Sequence, residues 1–250
     1  MMLRKLPFAA TLAVSMLGAT GGAIAGTVTS AQTGVPGTTH PNGTGMLDST
    51  APIAIHGSAT ATFSAPLKDQ WLTTKTAEGI SGLGIWSKRD NERELEIGEK
   101  LLVSFSQGLV VTGIRLGLLF DGPEFGDVRE TAQVTATFAG GATQSYRLTA
   151  GATGPFSWNG LGTASLVTGP NIASNGGVWN LANPFGTSLV TSLAFTAVKG
   201  FCGSGHCNNQ SDYVLMSVSA VPEPSTIALM LAGLGVVGAA ARRRRSVAVN

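Results

Sequence analysis

Short apolar runs alternate with turn-forming residues along most of this chain, a pattern that predicts β-strands. Residues 134–138 read Val-Thr-Ala-Thr-Phe, so apolar and polar side chains fall on opposite faces of an extended segment. Gly140-Gly141 follows them and predicts a tight hairpin turn into a second strand at residues 143–148. The local pattern therefore indicates an antiparallel strand pair.

The same pattern predicts strands in five other segments. Gly113 and Gly117 interrupt the longest of these, and interior glycines are typical of a bulged or bent strand. The five segments are residues 53–63, 101–105, 109–120, 193–198 and 212–221. Because the strands recur about every ten residues without a convincing long helix in the body, we predict an all-β fold. The expected architecture is an antiparallel two-sheet sandwich, similar to a jelly roll.

The first 25 residues have the order of a secretory signal peptide. Arg4-Lys5 precede an apolar stretch at about residues 6–17, and small residues end in Ala23-Ile24-Ala25. We predict a signal-peptide helix that signal peptidase cleaves after Ala25. The alternative is a buried N-terminal helix.

A second apolar segment lies near the C-terminus. Residues 225–241 carry no charge and would span about 26 Å as a helix, just under a hydrocarbon core of about 30 Å. Arg242, Arg243, Arg244 and Arg245 follow at once and would keep the tail in the cytoplasm. We therefore predict a transmembrane helix with the body outside the membrane. The alternative is a buried core helix.

Two prolines bracket a glutamate directly before this apolar segment. Pro222, Glu223 and Pro224 favour an extended backbone, which a processing enzyme can read. The order of this motif, an apolar helix and an arginine cluster over residues 221–245 resembles the PEP-CTERM sorting signal of Gram-negative bacteria. The resemblance implies processing by the membrane enzyme exosortase, a transient anchor in the inner membrane, and an association with exopolysaccharide systems.

A second resemblance, used only for the fold class, covers residues 81–120. The stretches SGLGIWS, ELEIGEKLLVSF and VTGIRLG are similar to a pattern in the ectodomains of PEP-CTERM proteins. In that pattern a Gly-Leu-Gly turn precedes an acidic-apolar strand and a strand that ends in Phe.

Composition and charge complete the division of the chain. Residues 26–52 are rich in Thr, Gly, Ser, Ala and Pro, and we predict a flexible leader that can add an edge strand to the ectodomain at residues 53–220. The body, residues 26–221, has ten basic and thirteen acidic residues and a net charge near −3. The basic residues are not gathered with aromatic side chains, so we exclude nucleic acid as a partner.

The densest cluster of acidic residues lies between positions 90 and 99. In an extended strand, Asp90, Glu92, Glu94 and Glu96 would share one face, where carboxylates are suitable ligands for calcium. Interleaved lysines and arginines favour a solvated edge segment instead. We assign no metal and no cofactor, and calcium stays open. A glycosidase pair from Glu94 and Glu99, or from Asp121 and Glu124, is a further alternative.

Both cysteines lie in one short segment, Cys202-Gly-Ser-Gly-His-Cys207. In an exported chain, such a pair predicts a disulfide. The alternatives are a redox pair or a metal clip with His206.

No nucleophile elbow, nucleotide-binding loop or zinc motif is present in the sequence. Of the four tryptophans, Trp158 lies between turn residues and is the best candidate for a surface aromatic, although core packing is favoured for all four. We expect an exported, non-enzymatic envelope or matrix protein with a structural or glycan-associating role. The alternatives are an extracellular hydrolase and, from two Thr-Ala-Thr stretches, an ice-binding protein.

Overall fold

The computed structural model describes residues 26–33, 47–89, 92–122, 129–151, 156–168, 177–201, 211–222 and Gly233. The predicted signal peptide, Cys202 and Cys207 lie outside these residues. So does the predicted sorting tail after Pro222, apart from Gly233. Among the helices in the described part of the chain, none is both long enough and apolar enough to cross a bilayer.

The described residues confirm the predicted all-β fold. Their one short helix within the body is a 3-10 turn at Ser30–Thr33. The strands are β1 (Gly26–Thr29), β2 (Ile53–His56), β3 (Ala59–Ser64), β4 (Gln70–Ala77), β5 (Ile80–Ser87), β6 (Leu101–Gly117), β7 (Arg129–Phe138), β8 (Thr143–Thr149), β9 (Ser157–Trp158), β10 (Thr163–Leu166), β11 (Trp179–Ala182), β12 (Leu189–Phe201) and β13 (Val214–Val221).

All thirteen strands belong to one hydrogen-bonded sheet, and the named strand pairs are antiparallel. β6 joins the two groups of strands that pair with its two halves, and the predicted packing of two sheets as a sandwich stays a prediction. The first half of β6 pairs with β3 and β12, and its second half pairs with β11 and β13. Two predicted strands, residues 101–105 and 109–120, are therefore a single long strand.

A large bulge allows β6 to change neighbours. Residues 105–108 of β6 lie opposite a single residue of β12, Thr191, so the register shifts at this point. Gly108 lies where the backbones come close, since a Cβ there would be 3.2 Å from Leu189 Cβ. A second register shift, at Thr112 beside Gly113, agrees with the predicted interruption of this strand.

The hairpin and the alternating pattern agree with the sequence prediction. β7 pairs with β8 from Thr131↔Thr149 to Thr137↔Thr143, and Gly141 adopts a φ of 83° in the turn. Val134 and Ala136 are buried on the core face, and Phe138 packs against the edge of the core. On β12, Leu193, Phe195 and Ala197 are buried in the same way.

The strand pair β4–β5 differs from the prediction. Gly82-Leu83-Gly84 lies inside β5 and does not form the expected turn. The glycines serve close packing, since a Cβ at Gly84 would lie 2.1 Å from the carbonyl oxygen of Arg93 and one at Gly82 would lie 2.4 Å from a methyl group of Val214. A sequence pattern does not distinguish these glycines from turn glycines.

Part of the predicted leader belongs to the sheet. β1 pairs with β13 over Gly26↔Ala220 to Thr29↔Ser217. Thr50 N donates a hydrogen bond to Phe63 O (2.8 Å), and Leu47 forms an isolated bridge with Leu72. Val28 is completely buried in the core that the strands enclose. The backbone hydrogen bonds of neighbouring strands therefore order these polar segments.

Gly84→Ala should destabilise the protein by about 1–3 kcal/mol, because the new methyl group meets backbone that has little room to move. Gly140→Ala is the matched control, since nothing lies within 4 Å of its Cβ position. Urea unfolding of the purified mature protein measures both variants. Equal midpoints for the two variants would contradict the close packing described here.

Candidate functional site

The last strand of the body leads directly into the predicted sorting motif. Ala220 is held on both sides, by Gly26 of β1 and Val111 of β6, and Val221 pairs with Val110. Pro222 follows immediately and is half-buried. The motif therefore leaves the body from a strand whose position the sheet determines.

The first residue of β1 closes this end of the sheet. A Cβ at Gly26 would lie 1.2 Å from the carbonyl oxygen of Ile55, so no side chain fits there. Because cleavage is predicted after Ala25, Gly26 would be the first residue of the mature chain. Its pairing with Ala220 places the two predicted processing points on neighbouring strands.

The acidic segment is not the extended strand that the sequence suggested. Arg93 has a φ of 68°, and Glu94 and Leu95 are both buried. The one-face arrangement of carboxylates is therefore wrong for residues 92–96, and Asp90 lies outside the described residues. Within the described ranges, no group of three or more His, Cys, Asp or Glu could hold a metal ion.

Specific contacts hold this acidic segment against its neighbours. Lys75 Nζ donates to Glu92 O (3.0 Å) and to Glu94 Oε2 (3.2 Å). Glu99 Oε2 accepts a hydrogen bond from the backbone N–H of Glu96 (3.1 Å). The side chain of Gln70 bonds Gly98 O (3.1 Å) and Lys100 N (3.2 Å). These carboxylates and carbonyls take part in fold-stabilising contacts. Of the other proposed pair, Glu124 lies outside the described residues.

The segment also connects β5 to the start of β13. Ile85 N donates to Glu94 O (3.0 Å), and Leu95 N donates to Tyr213 O (2.8 Å). Tyr213 is fully buried, and its hydroxyl donates to Thr196 O (3.1 Å). Burial raises the pKa of this phenol well above its usual value.

The tryptophans lie in three different environments. Trp179 is completely buried and donates to Leu119 O (2.9 Å). Trp158 packs against the core edge with its ring centroid 5.9 Å from that of Tyr146, so its selection as a surface aromatic is not supported. Trp71 and Trp86 form a half-buried pair with centroids 5.3 Å apart.

A charged pair flanks these two tryptophans. Lys88 Nζ lies 5.9 Å from the ring centroid of Trp71 and 2.8 Å from Asp69 Oδ1. The hydrogen bond from Lys88 keeps the pKa of the Asp69 carboxyl below its usual value. Lys88 therefore lies over one face of the Trp71 ring.

A row of hydroxyl side chains crosses the outward face of five adjacent strands. The pairing Thr62↔Ser104↔Ser192↔Thr137↔Thr143 places one Ser or Thr on each of β3, β6, β12, β7 and β8. At the usual spacing between strands this row is about 19 Å long. We call it the hydroxyl row.

A second row beside it contains Ser64, Leu102, Ala194, Thr135 and Ser145. Thr135 Oγ1 and Ser145 Oγ are hydrogen-bonded at 2.7 Å. Neither row contains a charged side chain. The sequence showed the two Thr-Ala-Thr stretches, but only the sheet brings them onto one face and places the serines of β6 and β12 between them.

Comparison with known proteins gives one finding. Residues 220–245 match the family model of the PEP-CTERM protein-sorting motif, which begins on the last two residues of β13. No curated protein and no solved structure matches the chain. The motif residues predicted from the sequence, Pro222, Glu223 and Pro224, lie within the matched range, as do Arg242 to Arg245.

Replacing Tyr213 with Phe should cost about 0.5–1.5 kcal/mol at pH 7 by removing its hydrogen bond. Since burial raises the folded-state pKa, the stability contributed by Tyr213 is present below pH about 10 and is lost as pH rises through that raised pKa. The Phe variant should therefore lose less stability than the native protein in alkali.

Urea unfolding between pH 7 and pH about 11 measures this difference. Tyr146→Phe is the control, because it keeps the Tyr213 contribution. The same alkaline decline in Tyr213→Phe and the native protein would contradict the assignment.

Proposed function

This chain carries a PEP-CTERM protein-sorting motif, and from that premise we propose that it is an exported structural or glycan-associating protein of the Gram-negative cell envelope or extracellular matrix. The motif implies exosortase as the processing partner and a membrane-anchored stage during export. Signal peptidase would remove residues 1–25 first. The inner membrane would then hold the body until the tail is cut.

The single observation that carries this proposal is the direct passage from β13 into the motif. Ala220 and Val221 belong to both the sheet and the matched range. A protease acting at the following prolines would release a body whose described strands are all retained. The sheet therefore does not depend on the tail for any of its described strand pairs.

The hydroxyl row supports the glycan-associating part of the proposal. Hydroxyl groups both donate and accept hydrogen bonds, which suits a polyhydroxylated partner. An uncharged face also avoids the cost of removing ions from water on binding. Because strands twist relative to their neighbours, a row across five strands is not flat, and this favours a flexible polysaccharide over an ice surface.

We propose a non-enzymatic role for the body. Glu94 and Glu99 are buried, and their contacts with Lys75 and with the backbone of Glu96 stabilise the acidic segment. These contacts favour a structural role for the two carboxylates. The exopolysaccharide that accompanies such sorting systems is the proposed partner. A disulfide between Cys202 and Cys207 remains part of the proposal and would stabilise the exported body.

Mass spectrometry of the protein recovered from its host should show an N-terminus at Gly26 and a C-terminus near residues 221–224. Replacing Pro222, Glu223 and Pro224 with alanine should leave the tail in place and keep the protein in the membrane fraction. Replacing Pro66, Glu78 and Pro184 singly with alanine controls for loss of proline or glutamate elsewhere. Normal tail removal in the triple variant would refute the sorting proposal.

The double variant Thr137→Val and Ser192→Ala should bind exopolysaccharide from the host about tenfold more weakly, since it removes two hydroxyl groups worth about 0.5–1.5 kcal/mol each. Thr76→Val is the matched control, because Thr76 is an exposed hydroxyl on β4 outside the rows. Binding is measured by retention on immobilised polysaccharide. Unchanged retention of the double variant would remove the glycan part of the proposal.

A further inference from the structure

Several loops of the sheet meet where the chain leaves the body. They are the β2–β3 turn (residues 57–58), residues 106–108 of the β6 bulge, the β7–β8 turn (139–142) and the residues before β12 (187–188). Together with the exit strand at residues 220–222, we call them the exit end. Most of their residues are exposed.

Contacts between these elements show that they are neighbours. Val110 pairs with both Val221 and Leu189, and Ala139 N donates to Leu189 O (2.9 Å). Thr60 N donates to Ser106 Oγ (3.0 Å), which ties the β2–β3 hairpin to the bulge. Gly26 lies against Ile55 next to the same hairpin. The exit end is therefore one continuous part of the molecule.

The exit end and the parts of the strands next to it contain no Asp, Glu, Lys or Arg. The uncharged stretches are residues 26–33, 50–67, 101–114, 131–146, 177–198 and 213–222. The opposite ends of the same strands are charged: Lys199 lies near the end of β12, Arg129 and Glu130 begin β7, and Lys100 precedes β6. Charge is thus separated along the strands.

The predicted anchor keeps the exit end near the bilayer. From Ala220 to Ser225, where the predicted span begins, the chain has five residues and reaches at most about 17 Å. The predicted signal peptide would leave from Gly26, beside Ala220. Both apolar segments of the precursor would therefore approach the membrane from the same end.

We propose that the exit end is a membrane-facing surface that lies against the lipid headgroups while the tail is anchored. This inference rests on the proposed function, specifically on the predicted span. The lack of carboxylates avoids repulsion from anionic lipids. The lack of basic residues removes the attraction of about 1 kcal/mol per Lys or Arg that would hold the body after the tail is cut.

The orientation can be measured on the full chain in phosphatidylcholine vesicles that contain a nickel-chelating lipid. Spin labels at Ser188→Cys and Lys199→Cys, with Cys202 and Cys207 changed to Ser, report their distance from the headgroups. Both positions are exposed on or beside β12, about 36 Å apart along the strand. Ala142→Cys provides a second label on the exit end.

The nickel lipid should relax the labels at positions 188 and 142 several-fold more strongly than the label at position 199. Equal relaxation at all three positions, or stronger relaxation at 199, would overturn the membrane-facing assignment. A surface that contacts only exosortase would also give equal relaxation, because these vesicles contain no exosortase. The measurement is repeated with spin labels attached to introduced azide-bearing residues, so that Cys202 and Cys207 stay unchanged.

Flotation of the same vesicles separates the two levels of the proposal. If the full chain does not float with the lipid, the anchor itself fails, and this inference fails with it. If the chain floats but the labels show no difference, the anchor stands and only the orientation is wrong. Both the full and the shortened chain are made without residues 1–25, so that the predicted signal peptide cannot bind the vesicles. The chain that ends at Val221 is the control that should stay in solution in either case.

Discussion

The pairing of β6 with four other strands is the constraint on which the rest of the sheet depends. Its first half has β3 and β12 as neighbours, and its second half has β11 and β13. These partners are far apart in sequence, so closing the sheet costs chain entropy that the buried side chains of β6 must offset. Leu101, Val103, Leu109 and Ile114 are almost completely buried and supply part of this gain.

The bulge in β6 connects this constraint to export. Residues 105–108 let the strand exchange β3 for β13 as a neighbour, and β13 then places Ala220 between β6 and β1. The first and last strands of the described body therefore lie side by side. The proposed cut after Ala25 and a cut at Pro222-Glu223-Pro224 would both leave the pairing of β1 with β13 intact.

Charge has different roles in different parts of the molecule. In the acidic segment, Lys75 neutralises Glu94 and holds the backbone of Glu92, so a sequence feature typical of a metal site stabilises an irregular connection. At the exit end and along the hydroxyl row, the lack of charge is itself the feature. For the proposed reversible contacts with glycan and lipid headgroups, these two uncharged surfaces would leave no buried ion without a partner.

The amino-acid sequence by itself determined the strands with regular alternation and the sorting motif. β7, β8 and β12 alternate on a local scale, and Pro222, Glu223 and Pro224 with the arginine cluster form a contiguous signal, so neither needs information from distant residues.

The tertiary structure decided the rest. Gly82 and Gly84 resemble turn residues until β13 and the acidic segment pack against them, and β6 is read as two strands until its neighbours are known. The hydroxyl row and the exit end combine residues from five or more segments, and only the register between strands brings them together. Side-chain alternation is a property of one strand, whereas a shared face or a shared end is a property of strand pairing, which is why these surfaces required the structure.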